Sequence, residues 1–132
     1  MVFKRTLRCL AAAALASGAL VAAPTAPALA GTALTCEYSF VAWTGGFWAD
    51  LRITNSGPVI SGWTARWSMA EPTTLGNVWS ATMSQPDPQH MVAVNVSYNA
   101  VIAPGQSVLF GWTASANSTS RPTDITVNGV AC

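Results

Sequence analysis

The chain has 132 residues, of which 51% are hydrophobic and only 8% are charged, and its formal net charge is +1. Lys4, Arg5 and Arg8 lie at the start, so residues 31–132 have three arginines, five acidic side chains and no lysine. Nucleic-acid binding requires clustered positive charge, and an anionic membrane surface requires a basic amphipathic helix. This composition therefore argues against both kinds of partner.

The first thirty residues have the pattern of a secretory signal peptide. After the basic start, an Ala/Leu/Val-rich run over 10–23 leads to Ala28-Leu29-Ala30, a small-x-small cleavage pattern before Gly31. The run is short and is followed by two prolines, which favours cleavage over a retained membrane anchor. We expect residues 1–30 to be removed, and residues 31–132 to form one secreted, soluble and monomeric domain.

Two cysteines remain after such a cleavage. Cys9 lies in the signal, whereas Cys36 and Cys132 lie near the two ends of the expected domain. In an oxidising compartment, this pair is expected to form one disulfide that joins the termini. The single histidine, His90, is not at a zinc-ligand spacing from them, so no metal or other cofactor is predicted.

Hydrophobic periodicity indicates β-strands along the whole domain. Residues 47–54 alternate strictly, as do 63–69 and 108–114. The inward face of the first strand is predicted to contain Phe47, Ala49, Leu51 and Ile53, and its outward face Trp48, Asp50, Arg52 and Thr54. The alternations over residues 63–69 and 108–114 predict that Trp63, Trp67 and Trp112 lie in the core.

Turn residues separate these segments, and no run of helix formers follows the signal. Turns are predicted at Asn55-Ser56-Gly57-Pro58, Pro86-Asp87-Pro88, Ala103-Pro104-Gly105 and Asn128-Gly129. Short strands with regular turns are typical of an antiparallel β-sandwich. The predicted fold is therefore all-β, an immunoglobulin-like or jelly-roll-like module of two sheets with one terminal disulfide.

The domain has more tryptophan than one small core usually contains. The six are Trp43, Trp48, Trp63, Trp67, Trp79 and Trp112. Each indole has a large apolar surface and an N–H group that needs a partner, so we expect some of them at the surface. Exposed aromatic rings on a nearly uncharged face suit a neutral, extended ligand with C–H groups on its faces, such as a polysaccharide.

The order of short motifs resembles the family 2 carbohydrate-binding modules of secreted bacterial cellulases and xylanases. The resemblance covers the whole expected domain and depends on Trp43-Thr44-Gly45-Gly46-Phe47, Ile53-Thr54-Asn55, Ser61-Gly62-Trp63, Val78-Trp79-Ser80-Ala81, Asn95-Val96-Ser97-Tyr98-Asn99, Ile102-Ala103-Pro104-Gly105, Phe110-Gly111 and Asn128-Gly129-Val130-Ala131-Cys132, with Cys36 at the start. The family implies a β-sandwich with a flat strip of three exposed aromatic rings and no catalysis.

Carried over by motif, the strip consists of Trp43, Trp79 and Tyr98. The resemblance also implies that Gly46 lets the indole of Trp43 lie flat for crystalline cellulose, where an arginine would rotate it toward single xylan chains. Asp50 and Asn77 fall where the family often has hydrogen-bonding side chains, or they are ordinary solvated residues.

Three positions depart from the family pattern or from strict alternation. Val41 stands where a polar side chain is expected. Trp48 is an additional indole that either widens the binding face or covers a neighbouring strand. Tyr98 would turn inward if the segment 92–98 alternated with its valines inward, so the strand must bulge or end near Asn95 for Tyr98 to join the strip.

The expected function is non-catalytic binding of insoluble β-1,4-linked polysaccharide, above all crystalline cellulose, with chitin or xylan as alternatives. Two other classes remain open: a small secreted glycoside hydrolase, which needs a carboxylate pair, and a protein-interaction domain that uses the same aromatics. The sequence contains no Pro/Thr/Ser-rich linker and no catalytic module. We therefore expect either a free-standing binder or a piece of a longer protein.

Overall fold

The computed structural model describes residues 33–132, so the predicted signal peptide lies outside the described residues. The described part contains eleven strands and a short 3-10 turn at Ser97–Asn99. The strands are β1 (Leu34–Trp43), β2 (Gly46–Asn55), β3 (Ile60–Ser61), β4 (Thr64–Ser68), β5 (Thr74–Trp79), β6 (Thr82–Asp87), β7 (His90–Val94), β8 (Val101–Ile102), β9 (Ser107–Ser115), β10 (Thr126–Val127) and β11 (Val130–Ala131).

The strands form two main antiparallel sheets, which confirms the predicted β-sandwich. One sheet has the order β1-β2-β9-β5 and the other has the order β11-β10-β4-β7-β6, while β3 and β8 form a small separate pair. The long hairpin β1–β2 pairs ten residues on each strand, from Leu34 opposite Asn55 to Trp43 opposite Gly46. Its two-residue loop ends at Gly45, whose φ of 92° lies in the left-handed region that glycine adopts without strain.

The alternation predicted for β2 is confirmed. Its four inward side chains are completely buried, namely Phe47, Ala49, Leu51 and Ile53. They pack against an aromatic cluster from both sheets, in which the ring centroids of Trp67 and Trp112 lie 5.0 Å apart and those of Trp63 and Phe110 lie 5.2 Å apart. The assignment of these three tryptophans to the core is therefore confirmed.

The face predicted for β7 is wrong. The valine alternation places Val92 and Val94 inward, but Met91 and Ala93 are the completely buried residues and Val94 is 39% exposed. The reason is the pairing with β4, which sets Met91 opposite the buried Trp67. With Val94 outward, strict alternation would turn Tyr98 outward as well, so a strand end is not needed for that direction; β7 in fact ends at Val94.

The disulfide between Cys36 and Cys132 is confirmed, with Cα atoms 5.4 Å apart. It joins β1, an edge strand of one sheet, to the residue that follows β11 at the edge of the other sheet. The linked cysteines are 96 positions apart in sequence. Closing a loop of roughly this length stabilises a domain by about 4.7 kcal/mol in the chain-entropy description.

Candidate functional site

The outward face of the four-stranded sheet brings most of the predicted site residues together. Cross-strand pairing arranges this face in rows, because residues directly opposite each other point to the same side. The first row is Trp43, Gly46, Ser115 and Thr74, the second contains Val41, Trp48 and Thr113, and the third is Ser39, Asp50, Gly111 and Trp79. The two exposed tryptophans therefore lie on opposite edge strands of one sheet.

Trp43 ends β1, and 53% of its surface is exposed. Its ring lies against Gly46, its cross-strand partner: a Cβ at position 46 would lie 3.1 Å from Nε1 of Trp43. The same Cβ would lie 2.7 Å from the backbone oxygen of Ala114. Two neighbours thus exclude a side chain at position 46, and one of them is backbone.

Trp79 ends β5, is 44% exposed and lies against Gly111 in the same manner. A Cβ at position 111 would lie 2.4 Å from Cζ2, 2.5 Å from Cε2 and 2.6 Å from Nε1 of this indole. Each exposed tryptophan therefore folds over a glycine on the adjacent inner strand. Gly46 pairs with Ser115, which is four residues from Gly111 along β9. The two glycines are therefore roughly 14 Å apart along the strand direction.

A bulge in β5 sets the direction of Trp79. The register shifts between Leu75, which pairs with Ala114, and Val78, which pairs with Trp112. Two residues of β5 thus oppose Thr113 alone, whose Oγ1 accepts a hydrogen bond of 2.9 Å from the backbone N–H of Asn77. Val78 packs against the core, so Trp79, the next residue, points outward.

Tyr98 lies in the 3-10 turn and is 76% exposed. Its hydroxyl is 3.1 Å from Oγ of Ser80, the residue that follows Trp79. The side-chain amide of Asn99 donates to the Ser80 carbonyl at 2.7 Å, and its oxygen accepts from the Val96 N–H at 2.9 Å. Ser80 therefore connects the second and third aromatic residues of the predicted strip.

Ser80 has an unusual backbone conformation, since its φ of 64° lies in the left-handed region and it is not glycine. Such a conformation persists only where the surroundings hold it. Sequence reasoning identified neither Ser80 nor Asn99 as a contributor to the site. Their positions directly after Trp79 and Tyr98 are the only sequence signal, and that signal gives no direction to either side chain.

The remaining predicted positions lie beside the aromatic residues. Asp50 is half-buried in the same row as Trp79, and Asn77 is exposed in the β5 bulge. Val41 is 52% exposed, as an apolar side chain where the family pattern suggests a polar one. Trp48 faces outward as predicted, half-buried between Val41 and Thr113.

The outward face of the four-stranded sheet carries few charged side chains among the described residues. Arg52 is exposed on it, opposite Glu37. A pocket of about 350 Å³ lined by Arg66, His90 and Asp124 lies instead on the five-stranded sheet. There, a hydrogen bond from the His90 side chain lowers the pKa of the Asp87 carboxyl.

The described residues offer neither a metal-binding cluster nor a membrane-spanning helix. Across residues 33–132, no cluster of three or more histidine, cysteine or acidic side chains is arranged to hold a metal ion. The same residues contain no helix with the length and hydropathy needed to cross a membrane. The outward face of the four-stranded sheet offers exposed aromatic rings beside side chains that can form hydrogen bonds.

The sequence also matches known proteins. Residues 34–132 match a family model described as the cellulose binding domain. Endoglucanase C from Cellvibrio japonicus (strain Ueda107) is 41% identical over 99 residues, which cover 74% of this chain and 13% of that protein. This chain thus spans about an eighth of that relative's length.

Two solved structures share both fold and sequence with it. The chitin-binding domain of Chi18aC from Streptomyces coelicolor is 32% identical, with a TM-score of 0.61, covering 76% of this chain and 95% of that one. The cellulose-binding family 2 carbohydrate-binding domain of ScLPMO10C is also 32% identical, with a TM-score of 0.57, covering 76% of this chain and 97% of that one. With its disulfide, its two-sheet sandwich and this match along residues 34–132, the chain belongs to the cellulose-binding domain family, family 2 of the carbohydrate-binding modules.

Proposed function

We propose that the domain binds the surface of an insoluble β-1,4-linked polysaccharide, above all crystalline cellulose, without catalysis. The observation that carries this proposal is the pair of exposed indoles, Trp43 and Trp79, each lying over a glycine on one sheet face. A pyranose ring presents axial C–H groups on its faces, and these stack on aromatic rings. Rigid rings also lose little conformational entropy on binding, which favours affinity.

Tyr98 adds a third aromatic ring to Trp43 and Trp79. The contact of its hydroxyl with Ser80, the residue after Trp79, supports a fixed distance between the rings of Tyr98 and Trp79. Asp50 and Asn77 supply hydrogen-bonding groups for the equatorial hydroxyls of the sugar. Gly46 keeps the indole of Trp43 close to the sheet. A Cβ at position 46 would lie 2.7 Å from the backbone oxygen of Ala114, so an arginine at this position would disturb the strand pairing as well as the ring.

Chitin is the second candidate ligand. It shares the flat β-1,4 face of cellulose, and this domain is equally identical, at 32%, to a chitin-binding domain and to a cellulose-binding one. The acetamido groups of chitin would have to be recognised by polar side chains. The match of residues 34–132 to the cellulose binding domain model supports cellulose as the first choice.

The deciding experiment is a binding assay of residues 31–132 with microcrystalline cellulose, chitin, insoluble xylan and starch in parallel. These residues contain the complete sandwich, its core and its disulfide. We expect the largest bound fraction on cellulose, a smaller one on chitin and little on starch. Binding to none of the four would refute the proposal, and a preference for chitin would transfer it to the second candidate.

We also propose that residues 1–30 direct export and are removed. The disulfide supports an oxidising compartment for the folded domain. N-terminal sequencing of protein recovered from the culture medium should begin at Gly31.

Incubation of that protein with cellulose or xylan should release no reducing sugar, and release by a purified preparation would contradict the non-catalytic assignment.

A further inference from the structure

We infer that Gly111 is a positioning residue that holds the indole of Trp79 in the plane needed for a flat polysaccharide surface. This inference rests on the proposed function and extends it to a residue outside the aromatic strip. Gly111 lies on the inner strand β9, directly opposite Trp79 on the edge strand β5. It is buried, although it lies on the outward face of the sheet.

The backbone does not require glycine at position 111. The glycines with φ in the left-handed region are Gly45, Gly62, Gly105 and Gly129, and Gly111 is not among them. Its neighbours in β9 pair regularly with β2 on the other side. Any residue could therefore continue the strand, and the reason for a glycine must be the space above it.

That space is occupied by the indole. The three atoms nearest to a Cβ at position 111 all belong to the Trp79 ring, at 2.4 to 2.6 Å, whereas ordinary van der Waals contact begins at 3.4 Å. An alanine would therefore displace the ring outward by about 1 Å. Because Trp79 is half exposed at the sheet edge, its ring has solvent on the outer side and can move that far without disturbing the core.

A displacement of this size matters most for a rigid ligand. A radial gap of about 0.5–1 Å already removes between a quarter and a half of the dispersion attraction of each contact. A crystalline surface that rests on a protruding Trp79 would be lifted away from Trp43 and Tyr98. A single soluble chain can bend to follow the displaced ring. Gly111 is therefore expected to favour flat, insoluble surfaces over soluble chains.

Position 111 isolates the ring contact better than position 46 does. A side chain at 46 would meet the backbone oxygen of Ala114 as well as Trp43, so its substitution would change strand pairing and ring position together. At position 111, the three nearest atoms all belong to the Trp79 ring. We therefore expect Gly111→Ala to act first on the position of that ring.

The experiment compares Gly111→Ala, Trp79→Ala and the double variant, with Leu109→Ala as matched control. Leu109 lies on the same strand and the same face, two residues from Gly111, and is 43% exposed. Binding is measured on microcrystalline cellulose and on a soluble cello-oligosaccharide. The indole N–H signals are followed by nitrogen-15 NMR.

We expect Gly111→Ala to weaken binding to cellulose at least fivefold and binding to the oligosaccharide less than twofold. The N–H signal of Trp79 should shift, while that of Trp43 should stay in place. In the Trp79→Ala background, the added alanine should have no further effect, because a contact between two residues appears as non-additivity. Leu109→Ala should bind like the parent.

Parental cellulose binding by Gly111→Ala, or an equal loss in the Trp79→Ala background, would overturn the inference. If Gly111→Ala does not fold, the double variant decides: a folded double variant supports the ring contact, and an unfolded one overturns it. Failure of the parent to bind cellulose or chitin would instead refute the proposed function. The Trp79 signal would then still show whether Gly111 positions the ring.

Discussion

The two groups of aromatic residues in this domain differ in the sheet face on which they lie rather than in residue type. Trp63, Trp67 and Trp112 are buried and contact each other or Phe110, whereas Trp43 and Trp79 end the two edge strands of one sheet. Side chains on the inward faces pack between the two sheets, while side chains on the outward face of the four-stranded sheet meet solvent. The core group should therefore determine stability, and the surface group should determine binding.

The strongest test of this comparison removes a core ring. Trp112 packs on Trp67, Phe110 and Tyr38, with ring centroids 5.0, 5.7 and 5.8 Å away. Trp112→Ala should cost about 3–5 kcal/mol, a large part of the stability of a small domain. Thermal unfolding followed by circular dichroism should shift by roughly 12 °C or more. A shift of only a few degrees would show that the core does not depend on this ring.

The corresponding change at the surface should have the opposite signature. Trp79→Ala and Trp43→Ala remove exposed rings, so unfolding should move by only a few degrees. Affinity for cellulose should fall at least tenfold, which corresponds to about 1.4 kcal/mol of lost stacking. Adsorption isotherms measure this, with Leu109→Ala as the exposed control. Unfolding of either variant, or parental binding by both, would contradict the assignment to the surface site.

A change in both stability and binding is expected at Asn99, whose side chain binds the Ser80 carbonyl. Asn99→Ala leaves the Ser80 carbonyl and the Val96 N–H without their partner, at a cost of about 1–3 kcal/mol. Cellulose affinity should also fall, because Trp79 and Tyr98 lose their connection. Tyr98→Phe removes only an exposed hydroxyl contact and is the mild control. Equal effects of the two changes on chemical denaturation would show that Asn99 does not hold the turn.

Alkaline pH provides a test confined to the core. Burial raises the pKa of the Tyr38 phenol well above its usual value near 10, and the weaker influence of Arg121 acts in the opposite direction. The folded state therefore holds this proton more tightly, and its contribution to stability is present below pH 10 and is lost as the pH rises further. Tyr38→Phe should lose less stability between pH 8 and 11 than the parent, as urea denaturation would show. If both proteins lost the same stability over this pH range, Tyr38 would not be the source of the loss.

The smallest expected effect concerns salt. With a neutral ligand and few charges on the face, raising NaCl from about 50 to 500 mM should change cellulose affinity less than twofold. Adsorption isotherms at both concentrations test this. A steep loss would show that charged groups such as Asp50 or Arg52 dominate binding, and would argue against stacking as the main source of affinity.

Much of the fold followed from local patterns. The period-two alternation of residues 47–54 identified the core face of β2, because a strand with one buried face must alternate. The cysteine pair identified the disulfide. The same reasoning failed in β7, where Met91 and Val92 are both apolar. Only the pairing with Trp67 on β4 decided which of them entered the core.

The chain by itself determined that some tryptophans must be exposed, and the family motifs indicated Trp43, Trp79 and Tyr98. Tertiary structure decided that Gly111 lies beneath the Trp79 ring, and that Ser80 and Asn99 connect Trp79 to Tyr98. Gly111 is distant in sequence from Trp79, and the two meet only because a bulge shifts the register of β5 against β9. Ser80 and Asn99 are likewise 19 positions apart in sequence and meet through a hydrogen bond from the Asn99 side chain to the Ser80 carbonyl. Such contacts depend on which strands pair and in what register, and local sequence periodicity does not contain that information.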